Sequence, residues 1–261
     1  MIPPTSIDGT DITGATIDGT DVQEITVDGD VVFSATNLPT AYSNLIAWYP
    51  FDSGIYGGSN TSDVTAIFES AESGDSTAYD LTLNGTGLTH ETDEGVRDFD
   101  GTNPTDAYEN TADSGSYFSG LPTISNPFSF SFWYYDFGSG DSPGVFGNYV
   151  ADPNDLYYYS SGIGTKYSLT TEAASSIQGT AKTNQWVHAV VTNDGSTLEL
   201  FHNKNSEGTT TAMTPGNPFH IAGIGPSGTN QNMPGYIDDF RIYDKVLSQS
   251  EIDQIYDNTN P

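Results

Sequence analysis

Gly235-Tyr236-Ile237-Asp238-Asp239-Phe240-Arg241-Ile242-Tyr243-Asp244-Lys245-Val246-Leu247-Ser248-Gln249-Ser250-Glu251-Ile252 decides the architecture, because it passes from a two-residue to a helical repeat within one short run. Tyr236, Asp238, Phe240 and Ile242 alternate with Ile237, Asp239, Arg241 and Tyr243, which predicts a strand with one buried and one partly wet face. Ser248 precedes Glu251 at the spacing of a capping box, where hydroxyl and carboxylate satisfy each other's backbone N–H groups. Ile252 and Ile255 follow at i, i+3, so a helix of about two turns should dock at the rim of the strand layer.

Working outward, strand signals dominate. Phe128-Ser129-Phe130-Ser131-Phe132-Trp133-Tyr134 alternates rings with serines, as a strand buried on one side should. Gln185-Trp186-Val187-His188-Ala189-Val190-Val191 and Leu198-Glu199-Leu200-Phe201-His202-Asn203 read as two strands joined by the turn Asn193-Asp194-Gly195-Ser196. The spans 53–79 and 138–165 keep no tight pattern and are expected to be long loops. A chain of 261 residues with 28 Gly, 16 Tyr and 13 Phe suits one large all-β domain with an appendage.

The charge balance is extreme: 6 Lys plus Arg against 35 Asp plus Glu leave a formal net charge of −29. Such self-repulsion opposes folding in dilute buffer, whereas at molar salt the Debye length falls to about 3 Å. A halophilic source is therefore expected. Nucleic-acid binding is excluded as a primary role, since clusters of Lys and Arg are missing. The absence of cysteine rules out disulfides and thiolate metal sites. No apolar run reaches transmembrane length. Met1-Ile2-Pro3-Pro4-Thr5-Ser6 carries neither a basic nor an apolar leader region, so a Sec-type signal is not expected.

Residues 1–36 repeat with a period of ten: Ile7-Asp8-Gly9-Thr10, Ile17-Asp18-Gly19-Thr20 and Val27-Asp28-Gly29-Asp30. A β-branched residue before Asp-Gly and another shortly after it is the pattern of a tight hairpin. Because a two-stranded ribbon is marginal alone in water, this arm is expected to lean on neighbours. Ile7, Ile17, Val27, Val31 and Phe33 are its candidate oligomerisation residues. The Asp-Gly-Thr units resemble those in structural proteins of haloarchaeal tailed viruses.

Residues 37–261 form the second unit, and here a family resemblance covers nearly the whole length. Leu45-Ile46-Ala47-Trp48-Tyr49-Pro50-Phe51-Asp52, Asp80-Leu81-Thr82-Leu83-Asn84-Gly85 and Asp98-Phe99-Asp100-Gly101 resemble elements of laminin G-like, concanavalin A-like lectin domains, as do the tryptophan-led strand pair and the closing segment. The resemblance implies an antiparallel β-sandwich jelly roll that binds surfaces and sugars more often than it catalyses. It also implies a structural Ca²⁺ held by Asp52 and one of Asp238 or Asp239.

Tyr149, Tyr157, Tyr158 and Tyr159 sit among Gly, Asp, Pro and Ser, where exposed rings would stack on sugar faces or pack in an oligomer. Trp48, Trp133 and Trp186 lie in apolar strand contexts and are expected in the core. No catalytic residue is assigned, because glycoside hydrolysis needs two carboxyls flanking the bond and only Glu251-Ile252-Asp253 approaches that pattern, inside the expected helix. His90, His188, His202 and His220 are scattered without metal spacing. The expected role is non-enzymatic: a homo-oligomeric virion surface protein, displayed in high salt as a capsid turret, spike or tail fibre, partnered by other virion proteins and attaching to host surface glycans. A decorating protein that stabilises the particle without a receptor, or a haloarchaeal cell-surface adhesin, would share most of these features.

Overall fold

The computed structural model describes residues 5–7, 10–12, 16–17, 20–21, 24–27, 30–34, 44–49, 51, 68–69, 81–85, 88–91, 94–96, 107–110, 116–138, 144–148, 156–160, 166–171, 176–180, 182–212, 214–216, 218–222 and 234–261. The N-terminal repeat forms three antiparallel ribbons: β1 (Thr5–Ile7) with β2 (Thr10–Ile12), β3 (Thr16–Ile17) with β4 (Thr20–Asp21), and β5 (Glu24–Val27) with β6 (Asp30–Ser34). Ile7 faces Thr10, Ile17 faces Thr20 and Val27 faces Asp30, so each pair closes across an Asp-Gly dipeptide. The arm residues Ile7, Ile17, Val27, Val31 and Phe33 occupy β1, β3, β5 and β6, and their side chains lie outside the described residues.

The remaining strands build two layers. In chain order they are β7 (Leu45–Tyr49), β8 (Phe68–Glu69), β9 (Thr82–Asn84), β10 (Leu88–Glu91), β11 (Ala107–Asn110), β12 (Tyr117–Ser119), β13 (Phe128–Asp136), β14 (Gly144–Gly147), β15 (Leu156–Ser160), β16 (Lys166–Thr171), β17 (Ser176–Thr180), β18 (Trp186–Asn193), β19 (Thr197–His202), β20 (Asn205–Thr211), β21 (His220–Ile221) and β22 (Gly235–Tyr243). A nine-stranded sheet runs β10-β11-β22-β13-β18-β19-β20, with β7 also on β22 and β8 on β7. A seven-stranded sheet runs β17-β16-β15-β14-β21-β12-β9.

Ring packing between the sheets makes the core. Phe128, Phe130, Phe132 and Tyr134 project from alternate positions of β13 into one buried cluster with Phe146 of β14, Tyr158 of β15 and Phe240 of β22. Phe130 and Phe132 lie 5.1 and 5.2 Å from Phe146, and Phe132 lies 5.6 Å from Tyr158. Each such ring removed from water stabilises the fold by about 1.5–3 kcal/mol, enough to fix which side of β13 faces inward.

The serine side of β13 is buried too, under α1 (Gln249–Thr259). Ile252 and Ile255 pack with Trp48, Val190 and Tyr243 in a second cluster on the outer face of the nine-stranded sheet. Trp133 donates its indole N–H to Thr259 Oγ1 at 2.8 Å and stacks on Tyr256 at 5.4 Å. At the helix start the Glu251 carboxylate accepts the Ser248 N–H at 2.8 Å and its hydroxyl at 2.9 Å, the exchange that the Ser-x-x-Glu spacing predicts.

Two expectations are corrected. The alternation in β22 breaks: Ile237, Phe240 and Ile242 all enter the core, because Asp239 adopts φ +49° and its pairing with β13 slips between Ser131 and Trp133. That extra residue is a β-bulge, which turns both acids of the Asp238-Asp239 pair into buried positions. Second, the span 138–165 is not one loop. Gly144–Gly147 and Leu156–Ser160 form β14 and β15 at the centre of the seven-stranded sheet. Within them Val145, Phe146, Leu156 and Tyr158 are buried, and two short apolar pairs suffice for strands covered on one side.

Candidate functional site

The helix covers only part of the outer face of the nine-stranded sheet. Beyond Trp133, the next outward position of β13 is Tyr135, which stands opposite Trp186 of β18 on one side and Tyr236 of β22 on the other. Tyr236 in turn faces Glu109 of β11, and Glu109 faces Thr89 of β10. Four neighbouring strands thus contribute three rings and a carboxylate to one level of a single face. Phe137 joins it one step along, its N–H donating to the Pro234 carbonyl at 3.0 Å. The turn behind Phe137 is held by the Asp136 carboxylate, which accepts the Gly138 N–H at 2.7 Å.

These rings touch one another yet remain partly exposed, unlike Trp48, Trp133 and the core phenylalanines. Trp186 and Tyr236 lie nearly parallel, 26° apart with centroids 6.1 Å apart, over Tyr135 at 5.8 Å from each. Phe137 meets Tyr236 edge-on at 5.0 Å. Gly235 makes the close approach of β22 to β13 at this point: at φ +155°, an added Cβ would fall 1.9 Å from the Tyr135 carbonyl oxygen. Any side chain there would push Tyr236 off its neighbours.

The acidic flank has its own electrostatics. Glu109 and Glu91 are partly exposed and Glu94 is exposed. Partial burial raises the Glu109 pKa above the ordinary carboxylate range, and the charges of Glu91 and Glu94 raise it further. Tyr236 is shifted up by burial and then by Glu94, Glu109 and Glu91. A broad, rigid aromatic surface edged by carboxylates can stack on the C–H face of a pyranose while accepting its O–H donors.

The residues singled out in the sequence lie elsewhere. Tyr158, expected as an exposed ring, is instead wholly buried: its hydroxyl lies 2.5 Å from His202 Nε2 and 3.1 Å from the Tyr134 hydroxyl, so no sugar reaches it. Tyr157 and Tyr159 flank it in β15 with side chains outside the described residues, and Tyr149 is outside them altogether. Trp186, expected in the core, is partly exposed in the patch.

Asp52 likewise lies outside the described residues. Asp239 accepts the Trp48 indole N–H at 2.7 Å and the Arg241 Nε–H at 2.9 Å, and a guanidinium nitrogen lies 2.8 Å from the same oxygen. Asp238 accepts the Val96 N–H at 2.8 Å and the Asp239 N–H at 2.7 Å. Asp239 Oδ1 thus balances a buried guanidinium and each Asp238 oxygen accepts one backbone N–H, while Asp52, the other residue of the expected Ca²⁺ pair, lies outside the described residues. Among the described residues no three acids or histidines gather as a metal site, and no helix is long and apolar enough to cross a membrane.

The three histidines with described side chains are structural. His188 Nε2 lies 2.8 Å from Ser131 Oγ beneath the helix, His202 Nδ1 lies 3.3 Å from Glu207, and His220 meets Tyr117 edge-on at 4.8 Å.

Residues 105–253 match the family model of the concanavalin A-like lectin/glucanases superfamily. Among solved structures, domain 4 of an extracellular arabinanase from Geobacillus stearothermophilus, in complex with arabinotriose, is similar with a TM-score of 0.54 and 20% identity over 81% of this chain and 98% of that one. The binding domain of botulinum neurotoxin serotype D aligns with a TM-score of 0.55 and 15% identity, over 82% of this chain and 52% of its own. Trypanosoma rangeli sialidase in complex with sialic acid gives 0.56 and 13%, over 90% of this chain and 35% of its own. At these identities the likeness is one of fold. No curated protein matches the sequence.

Proposed function

The chain belongs to the concanavalin A-like lectin/glucanase superfamily, and on that premise we propose that it is a glycan-binding attachment module displayed on the surface of a halophilic virus particle. The observation that carries the binding role is the row Trp186, Tyr135, Tyr236 and Glu109, where large rings in mutual contact stay partly exposed. Leaving such rings in water forgoes burial energy, and a rigid platform recovers it when a sugar face covers the rings. Three fold neighbours, from an arabinanase, a toxin and a sialidase, support the use of this sandwich beside carbohydrate or as a binding domain. The net charge of −29 supports a high-salt setting, and the N-terminal ribbons, each two-stranded among the described residues, supply an arm suited to docking on sister chains or a particle. Many copies would multiply a weak site, since linkage raises avidity about 10²–10⁴-fold.

The test is glycan-array binding by the full chain in molar KCl, with Trp186→Ala alongside. The expected result is a defined set of bound glycans, lost on removal of the indole while the melting temperature stays close to that of the parent. Binding that survives the substitution would move the site elsewhere, and an empty array would end the lectin reading.

A further inference from the structure

The four partly exposed rings of the patch form a lozenge rather than a single plane. Tyr135 and Tyr236 make its short diagonal at 5.8 Å. Trp186 closes one corner, 5.8 Å from Tyr135 and 6.1 Å from Tyr236, and Phe137 closes the opposite one at 5.8 and 5.0 Å. The path from Trp186 over Tyr236 to Phe137 thus takes two steps, each about the length of one sugar unit in an extended chain. The planes divide at the same place. Trp186 and Tyr236 lie 26° from parallel and offer one stacking surface, whereas Phe137 stands at 87° to Tyr236 and 71° to Tyr135. One pyranose ring cannot lie on both surfaces at once.

Phe137 is also fixed where it stands. Its N–H donates to the Pro234 carbonyl at 3.0 Å, and the N–H of the next residue, Gly138, donates to the buried Asp136 carboxylate at 2.7 Å. Gly138 takes φ +77°, a left-handed turn that favours glycine, and Thr183 packs against it. These restraints hold a large apolar ring at the surface, where it contributes less to stability than a buried ring would. They do suit a ligand, because a ring already in place adds no ordering cost when a sugar meets it.

From this two-surface arrangement we propose that the patch takes a linear glycan of at least two contiguous sugar units, the first stacked on Trp186 and Tyr236 and the next against Phe137, and discriminates against a lone sugar. The inference rests on the sugar-platform reading given above and adds the ligand's minimum length and Phe137 as the residue that reads it. A single sugar engages only the first surface, so its affinity is blind to Phe137. A second unit gains the Phe137 contact without a second loss of translational freedom, because the two units are already linked. A third unit passes beyond the four rings and adds little.

The test is titration calorimetry of the full chain in molar KCl with three neutral series, β-1,4-linked glucose, β-1,4-linked mannose and α-1,4-linked glucose, each from one to four units. In at least one series the disaccharide should bind about tenfold or more tightly than the monosaccharide, with the longer members within about twofold of the disaccharide. Phe137→Ala should return the disaccharide to about the affinity of the monosaccharide and leave the monosaccharide unchanged. Trp186→Ala should abolish binding at every length. If Phe137→Ala fails to fold by circular dichroism, Phe137→Leu takes its place with the same expectation, weaker in size. A monosaccharide that binds as tightly as its longer homologues, or a disaccharide gain that survives the Phe137 substitution, would overturn the inference; loss of that binding in Trp186→Ala would leave the sugar platform standing. Affinity that climbs equally with each unit up to four would also overturn it. No binding by any of the three series would remove both readings.

Discussion

Two histidines show how far a single side chain can tie stability to pH. His188 is wholly buried between Ser131, Trp133 and Tyr256, and burial, reinforced by the charges of Arg241, His202 and Lys204, pushes its pKa down to about 3. His202 is pushed down to about 3 by burial and by Lys182, with Tyr158 on Nε2 and Glu207 beside Nδ1. In the unfolded chain both rings titrate near 6.5. Between 6.5 and about 3 the unfolded state binds more protons than the native one, so stability falls as pH falls through that window and is flat above it. Each histidine costs up to about 1.4 kcal/mol per pH unit there. Ordinary carboxylates begin to protonate only below about pH 5, so the interval above it reports the buried histidines, with the raised Glu109 acting in the opposite sense. Urea melts in molar KCl should therefore show a level midpoint between about pH 6.5 and the onset of tyrosine titration near 10, where buried Tyr134 and Tyr243 begin to cost stability, and a decline from about pH 6.5 downward. His202→Gln should reduce the slope without removing it, because burial lowers the pKa values of His188 and His220 as well. A midpoint unchanged down to about pH 5 would contradict both environments.

At the scale of elements, the closing strand and helix show what local pattern can and cannot carry. The helix was legible because its signals are local: Ser248 and Glu251 form the cap, and Ile252 and Ile255 supply the buried stripe. Glu251 is almost wholly buried and also holds Lys245 at 2.5 Å, so Glu251→Ala removes the cap acceptor and strands a lysine. The expected loss is about 1–2 kcal/mol, read as a lower denaturation midpoint at unchanged m-value. No loss would mean that α1 is fixed entirely by its apolar face. The strand was legible in position but not in facing, because one residue at positive φ, Asp239, inverts everything on one side of the bulge. The pairing Arg241 offers is long-range in consequence though near in sequence: a buried guanidinium dictates that a carboxylate must join it in the outer face.

The patch was not legible at all, since Glu109, Tyr135, Trp186 and Tyr236 come from four strands joined only by the sheet order. One signal was present: Tyr135 ends its apolar run while Trp186 and Tyr236 begin theirs. In an antiparallel sheet the end of one strand lies beside the starts of its neighbours. Tyr158 misled for the opposite reason, because Gly, Asp, Pro and Ser nearby suggested a loop around what is a central strand.

For the whole molecule the decisive quantity is charge. A formal charge of −29 spread over one domain produces a repulsion that grows with compaction, so it acts against the native state more than the expanded one. Three of the six basic side chains are occupied locally, Arg241 in the buried pair with Asp239 and Lys204 and Lys245 in pairs that pin α1. They steady particular elements and do little for the field of the acidic surplus. Mobile cations must supply that compensation, and at about 1 M the Debye length of about 3 Å confines each carboxylate to its nearest neighbours. Several kcal/mol regained in this way corresponds to about ten degrees or more in melting temperature for a domain of this size. Scanning calorimetry from low salt to molar KCl should show such a rise, steepest at low concentration and levelling off as screening saturates. A rise linear in salt with no plateau would point instead to the general exclusion of salt from protein surfaces. A melting temperature indifferent to KCl would remove the high-salt setting and, with it, the halophilic half of the attachment proposal.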